Sequence, residues 1–185
     1  MSIATRTGDT GATGLMYNRR VSKCHPRVEA YGSVDELNAA IGVARATAEQ
    51  DFVRGHLLAV QQDLVVLMGE LATLVEDLPR YVKDGFKLVT PEMTVKLDGL
   101  VKLIESQNIS FKGWATPGAT VNAAALDVAR TTCRRAERRA CALQEEKQLE
   151  NPEIMIYLNR LSDALWLLAR WLETQGNGGS RDRVV

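Results

Sequence analysis

The sequence predicts an all-α protein, a bundle of five helices that forms one domain over residues 1–185. Five long segments repeat apolar residues with the period of an amphipathic helix, and the alternation typical of strands is absent. Aromatic side chains, which strands favour, make up only 5% of the chain. The hydrophobic content of 45% is enough for one sizeable core.

The five predicted helices cover residues 28–50, 52–75, 91–107, 120–149 and 152–175. Thr90 before Pro91 is typical of a helix start, and Pro152 also suits a first turn. Ser33 and Glu36 have the spacing of a capping box, which marks either the true start of the first helix or a kink within it. Residues 5–24, 77–89 and 110–119 are predicted loops, and we expect a frayed tail at 176–185.

Composition excludes several classes of protein. Lys and Arg total 23, as do Asp and Glu, so the formal net charge is zero and general nucleic-acid binding is not expected. The start of the sequence lacks the features of a signal peptide, and no apolar run is long enough for a bilayer. Three cysteines and two histidines show no metal-site spacing. We therefore expect a cytoplasmic protein with reduced thiols.

The segment 130–140, RTTCRRAERRA, is the most unusual part of the sequence. On a helical wheel Arg130 and Arg138 lie within about 40° of Arg134, whereas Arg135 and Arg139 lie about 100° and 140° away. Stacked like charges destabilise a helix, and a bound anion would relieve the repulsion. A solvated face with ion pairs is the alternative, and the residues alone leave both open.

The opposite side of this helix carries small and apolar residues. Ala125, Ala129, Ala136 and Ala140 permit a close approach of another helix, which we expect to support association between subunits. The last helix contains Asn159 and Asp163, four residues apart, inside an apolar stretch. These two polar side chains serve either hydrogen bonds between helices or a site, whereas Trp166 and Trp171 are expected in the core.

The N-terminal region, residues 1–25, is a candidate nucleotide-binding loop. Its TRTGDTGATG segment combines hydroxyl side chains with glycines, which let backbone N–H groups converge on an anion. Arg19, Arg20 and Lys23 add positive charge. The segment lacks the ending of a Walker loop, and a flexible terminus is the alternative.

Four motifs in this order resemble the PduO-type ATP:cob(I)alamin adenosyltransferases, over about residues 4–174. They are TRTGDTG at 5–11, RVSKCHPRVEAYGSVDELNAAIG at 20–42, CRRAERR at 133–139 and NRLSD at 159–163. The resemblance implies a ferritin-like, up-and-down five-helix bundle assembled as a homotrimer. It also implies transfer of the 5′-deoxyadenosyl group of ATP to cobalt in active sites between subunits. Mg²⁺ would be bound through the ATP phosphates.

The resemblance also implies roles for individual residues. One subunit would bind ATP through Thr5, Arg6, Thr7, Gly8, Thr13, Gly14 and Lys23. A neighbouring subunit would add Arg134, Arg135, Ala136, Glu137, Arg138 and Asn159, although Arg135 and Arg139 point away on the wheel toward ion pairs. Asp35, Arg130 and Trp114 would be the catalytic and cobalamin-binding residues, with Asp35 paired to Arg130. An electron donor and an acceptor enzyme that uses adenosylcobalamin are the implied protein partners, and no nucleic acid or membrane is.

The loop at 114–119, WATPGA, departs from the family pattern Phe-x-Leu-Pro-Gly-Gly. Trp114 stands where the family has the phenylalanine that excludes the lower axial ligand of cobalt. This departure favours an alternative, a nucleotide- or corrinoid-binding carrier or chaperone without efficient transfer. A helical scaffold that binds no small molecule is a third hypothesis, which nucleotide-dependent thermal stabilisation would contradict.

Overall fold

The computed structural model describes residues 4, 6–107, 109, 114–175 and 183–184. The helices in these ranges are α1 (Pro26–Thr47), α2 (Asp51–Leu71), α3 (Leu78–Lys83), α4 (Pro91–Glu105), α5 (Val121–Glu145) and α6 (Glu153–Gln175). All but α3 are long, so the prediction of an all-α, five-helix protein is confirmed. The short α3 lies in the segment 77–89, for which the sequence predicted only a loop.

Local hydrogen bonds explain where the helices begin and end. His25 caps α1, since its Nδ1 accepts a hydrogen bond from the Arg27 amide at 3.1 Å. Ser33 is therefore an internal residue, whose hydroxyl donates to the Glu29 carbonyl at 2.8 Å, and not a helix start. α5 ends four residues before its predicted end, and Lys147, two residues later, has a left-handed backbone with φ 58°.

Contacts between helices fix their relative directions. α5 runs antiparallel to α1, because Arg139 contacts Glu29 near the start of α1 and Arg135 contacts Glu36 further along it. α6 is antiparallel to α5, as the pairs Glu137–Asn159 and Asp127–Arg170 show. It is also antiparallel to α2, through Asp63–Tyr157 and Phe52–Trp171. It is parallel to α4, through Asp98–Arg160 and Gln107–Trp171. The long helices thus alternate in direction along the chain, as the up-and-down prediction requires.

The core forms where these helices meet, and the face of α5 that carries small residues is buried in it. Ala129, Ala136 and Ala140 have no exposed surface in the single chain. Cys133 lies in the same layer, and its thiol donates to the Leu158 carbonyl of α6 at 3.2 Å. These alanines allow α5 to pack against α1 and α6 within one subunit, so the expectation that they support association between subunits was wrong.

Two small antiparallel pairs of strands accompany the helices. β1 (Ala12–Gly14) pairs with β2 (Arg20–Ser22), and β3 (Trp114–Ala115) pairs with β4 (Arg183–Val184). The sequence predicted loops at 5–24 and 110–119, because strands of two or three residues are too short to show alternation. It predicted a frayed tail at 176–185, which is wrong for the paired residues 183–184. The β1–β2 hairpin gives the N-terminal loop a base, because the Lys23 amide bonds to the Gly11 carbonyl.

Within the described ranges, no single helix has the length and apolar character to cross a bilayer. α2 and the adjoining segment Val75–Lys83 meet that criterion only when taken together, across a bend of 105°. The apolar residues Val53, Leu57, Leu64 and Leu67 of α2 are fully buried inside the bundle.

Candidate active site

The N-terminal loop folds back on itself above the β1–β2 hairpin. The amide of Gly11 donates to the Gly8 carbonyl at 3.2 Å, and the amide of Lys23 donates to the Gly11 carbonyl at 2.9 Å. Gly11 has φ 79°, a left-handed conformation that favours glycine. The alternative prediction of a flexible terminus is therefore wrong from residue 6 onward, because this part of the chain forms a turn with its own hydrogen bonds.

This turn brings basic side chains over the glycines. Arg20 donates to the carbonyl of Thr7 at 2.8 Å. A Cβ atom added at Gly8 would lie 3.2 Å from both Cε and Nζ of Lys23, so the ammonium group occupies the space that a side chain would need. Five of the predicted ATP-binding residues lie in this turn and hairpin with Lys23: Arg6, Thr7, Gly8, Thr13 and Gly14. Thr5 lies outside the described residues.

Specific contacts hold the hairpin on the corner formed by α2 and α3. The Met16 amide donates to the Ala72 carbonyl at 2.9 Å. Arg19 donates to both carboxylate oxygens of Asp77, at 2.8 and 3.0 Å, and these hydrogen bonds hold the pKa of Asp77 below its ordinary value. Arg19 thus docks the hairpin, and its expected contribution to the positive charge of the loop was wrong.

A buried arginine fixes the next part of the chain. Arg27 is 2% exposed, and its guanidinium donates to the carbonyls of Leu71 and Thr73 at 2.9 and 2.7 Å and to that of Gln148. Burial lowers the pKa of Arg27. This residue joins the start of α1 to the end of α2, the same corner on which the hairpin docks.

The arginines of α5 divide into two groups by their partners. Arg135 forms an ion pair with Glu36 of α1, and Arg139 pairs with Glu29 at 3.2 Å. Both pairs are formed between half-exposed side chains of the same chain, which confirms the surface ion pairs expected for these two positions. Arg135 is occupied by this ion pair and Ala136 is completely buried. The structure therefore does not support the predicted contact of either residue with ATP.

Arg134 and Arg138 have no such partners. Both are exposed, and neither forms a hydrogen bond or ion pair with any residue in the described ranges. Beside them the Asn159 amide of α6 donates to the Glu137 carboxylate at 3.1 Å. The structure therefore brings four predicted ATP-binding residues onto one surface, with two guanidinium groups available for an anion of high charge.

The predicted corrin-side residues are only partly brought together. Asp35 is exposed on α1 and makes no hydrogen bond or ion pair among the described residues, while Nε of Arg130 donates to Asp127 at 3.3 Å. The predicted Asp35–Arg130 pair is thus not formed within the chain. The backbone of Trp114 pairs with Val184, and the predicted role of its side chain lies outside what the structure describes.

Asp127 and Arg170 were missed by the sequence interpretation. Asp127 lies three residues before Arg130 on α5, a spacing that could have indicated the contact. Arg170 is an isolated charge within the apolar sequence of α6, and such a charge requires a buried partner. It donates to Asp127 at 2.6 Å, with both side chains at most 3% exposed.

Cys133 of α5 does not supply a nucleophile. Cys133 is buried, and burial raises the pKa of its thiol, so it stays protonated at neutral pH. Cys24, Cys133 and Cys141 are all unpaired, as the expectation of reduced thiols requires. The site offers cations and hydrogen-bond donors, so its chemistry is binding, orientation and stabilisation of negative charge.

Known proteins resemble this chain over most of its length. The family model described as cobalamin adenosyltransferase matches residues 3–172. The corrinoid adenosyltransferase PduO of Salmonella typhimurium is 40% identical over 92% of this chain and 49% of its own length, so the chain spans about half of that relative. A corrinoid adenosyltransferase of Citrobacter freundii is 40% identical over 93% of this chain and 95% of its own.

Solved structures show the same similarity. A variant of the PduO-type ATP:corrinoid adenosyltransferase from Lactobacillus reuteri, complexed with cobalamin and ATP, is 34% identical with a TM-score of 0.85 and covers 94% of each chain. Another variant of that protein, complexed with ATP, is 33% identical with a TM-score of 0.83 over 93% of this chain and 94% of its own. The chain therefore belongs to the cobalamin adenosyltransferase family.

Proposed function

We propose that this protein transfers the 5′-deoxyadenosyl group of ATP to the cobalt of cob(I)alamin, giving adenosylcobalamin and triphosphate. The observation that carries the proposal is the surface of Arg134 and Arg138 beside the Glu137–Asn159 hydrogen bond. In a member of the cobalamin adenosyltransferase family, two guanidinium groups one helical turn apart, with no partner among the described residues, suit the phosphates of ATP.

In this proposal the N-terminal loop and the arginine surface bind opposite sides of ATP. Lys23 and the amides of the loop contact the nucleotide from one subunit, and Arg134 and Arg138 contact the triphosphate from another. A homotrimer with shared sites accounts for two arginines that form no hydrogen bond or ion pair with any residue that the structure describes. In the described part of the chain no three His, Cys, Asp or Glu side chains converge as metal ligands, so we assign Mg²⁺ to the phosphate oxygens of ATP.

The reaction needs little acid–base chemistry from the protein. Cob(I)alamin supplies an electron pair that forms the bond to C5′ of ATP, and the bond between C5′ and the triphosphate oxygen breaks. The residues of the chain orient C5′ and stabilise the charge of the leaving triphosphate, which favours the transition state. An electron donor that yields cob(I)alamin and an acceptor enzyme for the product are the partners that this chemistry requires, with the cytoplasm as the proposed location.

The transfer assay tests the proposal. Protein, ATP, Mg²⁺, reductant and cobalamin are incubated anaerobically, and the spectrum of the corrinoid is followed in the absence of light. We expect conversion of cob(I)alamin to adenosylcobalamin with one triphosphate released per product. A nucleotide- or corrinoid-binding carrier, which the WATPGA loop favours, would bind both compounds without forming the product.

A further inference from the structure

Arg130 is the outer member of a charged network that runs into the core. Arg170 of α6 is 1% exposed and donates through Nη2 to Oδ2 of Asp127 at 2.6 Å and to Glu173 at 2.8 Å. Arg130 donates through Nε to the other oxygen of Asp127, Oδ1, at 3.3 Å. Each oxygen of Asp127 thus accepts from a different arginine, and the four charges of the network sum to zero.

The network connects the core with a cavity at the surface. Arg130 is 27% exposed, whereas Asp127 is 3% exposed. Both line a cavity of about 240 Å³ with Pro117 and Gly118, which follow the β3 strand, and with Thr131. The buried end is rigid, because leaving Asp127 or Arg170 without its partner would strand a charge in the core.

The geometry leaves the two terminal nitrogens of the Arg130 guanidinium available to bind a ligand. A guanidinium group has five N–H donors, of which Nε provides one. Because Nε is taken by Asp127, the side chain is held in one direction, and neither terminal nitrogen of Arg130 bonds to any other residue that the structure describes. The two terminal nitrogens form a planar fork that suits a carboxylate or another planar acceptor.

We propose that Asp127, itself held by Arg170, is a positioning residue that orients Arg130 toward the corrinoid. The proposal rests on the proposed function and on the corrin-side role that the family resemblance implies for Arg130. Asp127 does not touch the reacting atoms; it fixes the direction of the Arg130 fork. Loss of this contact affects use of the corrinoid, whereas ATP is bound by other residues of α5 and by the N-terminal loop.

The first test compares Asp127→Asn with Asp63→Asn. Asp63 is a part-buried carboxylate of α2 that accepts a hydrogen bond from Tyr157 at 3.3 Å, so it controls for loss of a structural acid. For Asp127→Asn we expect kcat to fall and the corrinoid KM to rise, each by about tenfold or more. The KM for ATP should change by less than about twofold. Equal effects of the two variants on the corrinoid parameters would overturn the proposal.

The second test asks whether Asp127 acts through Arg130. In an Arg130→Ala background, Asp127→Asn should cause no further change in the corrinoid KM, because the group that it orients is already absent. If the two substitutions instead lower corrinoid use independently, so that their effects multiply, Asp127 acts in another way.

Arg130→Lys leaves the buried Asp127–Arg170 pair intact, so it keeps the proposal testable if Asp127→Asn fails to fold. A lysine that retains wild-type corrinoid kinetics would contradict a need for the oriented fork.

Binding of cob(II)alamin, measured by equilibrium dialysis without ATP turnover, separates this proposal from the proposed function. If the wild type binds the corrinoid but does not transfer, the proposed function fails alone, and weaker binding by Asp127→Asn but not Asp63→Asn still supports the positioning role. If the wild type transfers and both variants bind the corrinoid equally well with unchanged kcat, the positioning role fails alone.

Discussion

Two pairs of arginines on α5 differ in their surroundings although they alternate within one short segment. Arg135 and Arg139 face α1, where Glu36 and Glu29 neutralise them. Arg134 and Arg138 face outward and contact no carboxylate among the residues that the structure describes. The partners of an arginine, more than its place in a basic run, therefore distinguish a structural ion pair from a candidate ligand contact.

The N-terminal hairpin shows the same distinction. Arg19 forms ion pairs with Asp77 at 2.8 Å and with Glu76 at 3.1 Å, and these contacts dock the hairpin. Lys23, only four residues away, forms no ion pair with a described residue and lies against Gly8 at the loop. In both regions one set of cations forms ion pairs within the chain, and a second set forms none with a residue that the structure describes.

The largest expected effect comes from the available arginines. Arg134→Ala removes a charge-assisted contact worth about 1.5–3 kcal/mol, so kcat/KM for ATP should fall about 10- to 100-fold. Steady-state kinetics with varied ATP measure this change. Arg139→Ala is the matched control, since an exposed ion pair contributes at most about 1 kcal/mol to stability and should leave the ATP parameters within about twofold. Equal losses in the two variants would contradict our division of the arginines.

A smaller effect is expected where the hairpin docks. Asp77→Asn removes the carboxylate that holds Arg19, so the N-terminal loop should become mobile and the KM for ATP should rise about five- to tenfold. Hydrogen exchange at the Met16 amide, which bonds to Ala72, measures the docking directly. Unchanged exchange together with a raised KM would show that Asp77 acts other than through the hairpin.

The same ion pair predicts a dependence on pH. The pKa of Asp77 is lowered in the folded protein, so the ionised form is favoured and its stabilisation is complete above the ordinary aspartate value of about 4. This stabilisation is lost as the pH falls through the lowered pKa. The protection factor of the Met16 amide, which corrects for the intrinsic exchange rate at each pH, is therefore expected to fall in acid for the wild type, and not for Asp77→Asn, in which docking is already weak at neutral pH.

The smallest effect is expected at Gly8. A methyl group there would lie 3.2 Å from two atoms of the Lys23 side chain, whose flexible end can move by a few tenths of an ångström. Gly8→Ala should thus raise the KM for ATP only about two- to fivefold and leave thermal stability unchanged. Gly55→Ala, in open space on α2, is the control and should not change the KM. A wild-type KM in Gly8→Ala would show that the position of Lys23 is not critical.

The sequence predicted the helices well because each long helix buries a continuous apolar stripe, as Leu57 and Leu64 do in α2. The hairpin was missed because its strands have three residues each. The wheel correctly separated Arg135 and Arg139 from Arg134 and Arg138, since helical geometry fixes those directions. The partners of Arg19 and Arg170 could not be predicted, because Asp77 lies 58 residues from Arg19 and the contact of Arg170 with Asp127 depends on how α5 packs on α6.

The central claim is that the available arginines of one subunit complete an ATP site with the loop of another. At ATP concentrations well below the wild-type KM, Arg134→Ala and Lys23→Ala should each retain at most about a tenth of wild-type activity, and mixing them after subunit exchange should restore activity. Random assembly of equal amounts places an intact loop beside an intact arginine surface in about one quarter of sites. About a quarter of wild-type activity in the mixture is the result we predict. A mixture no more active than its two components, with subunit exchange verified by mass, would show that each site is formed within a single chain.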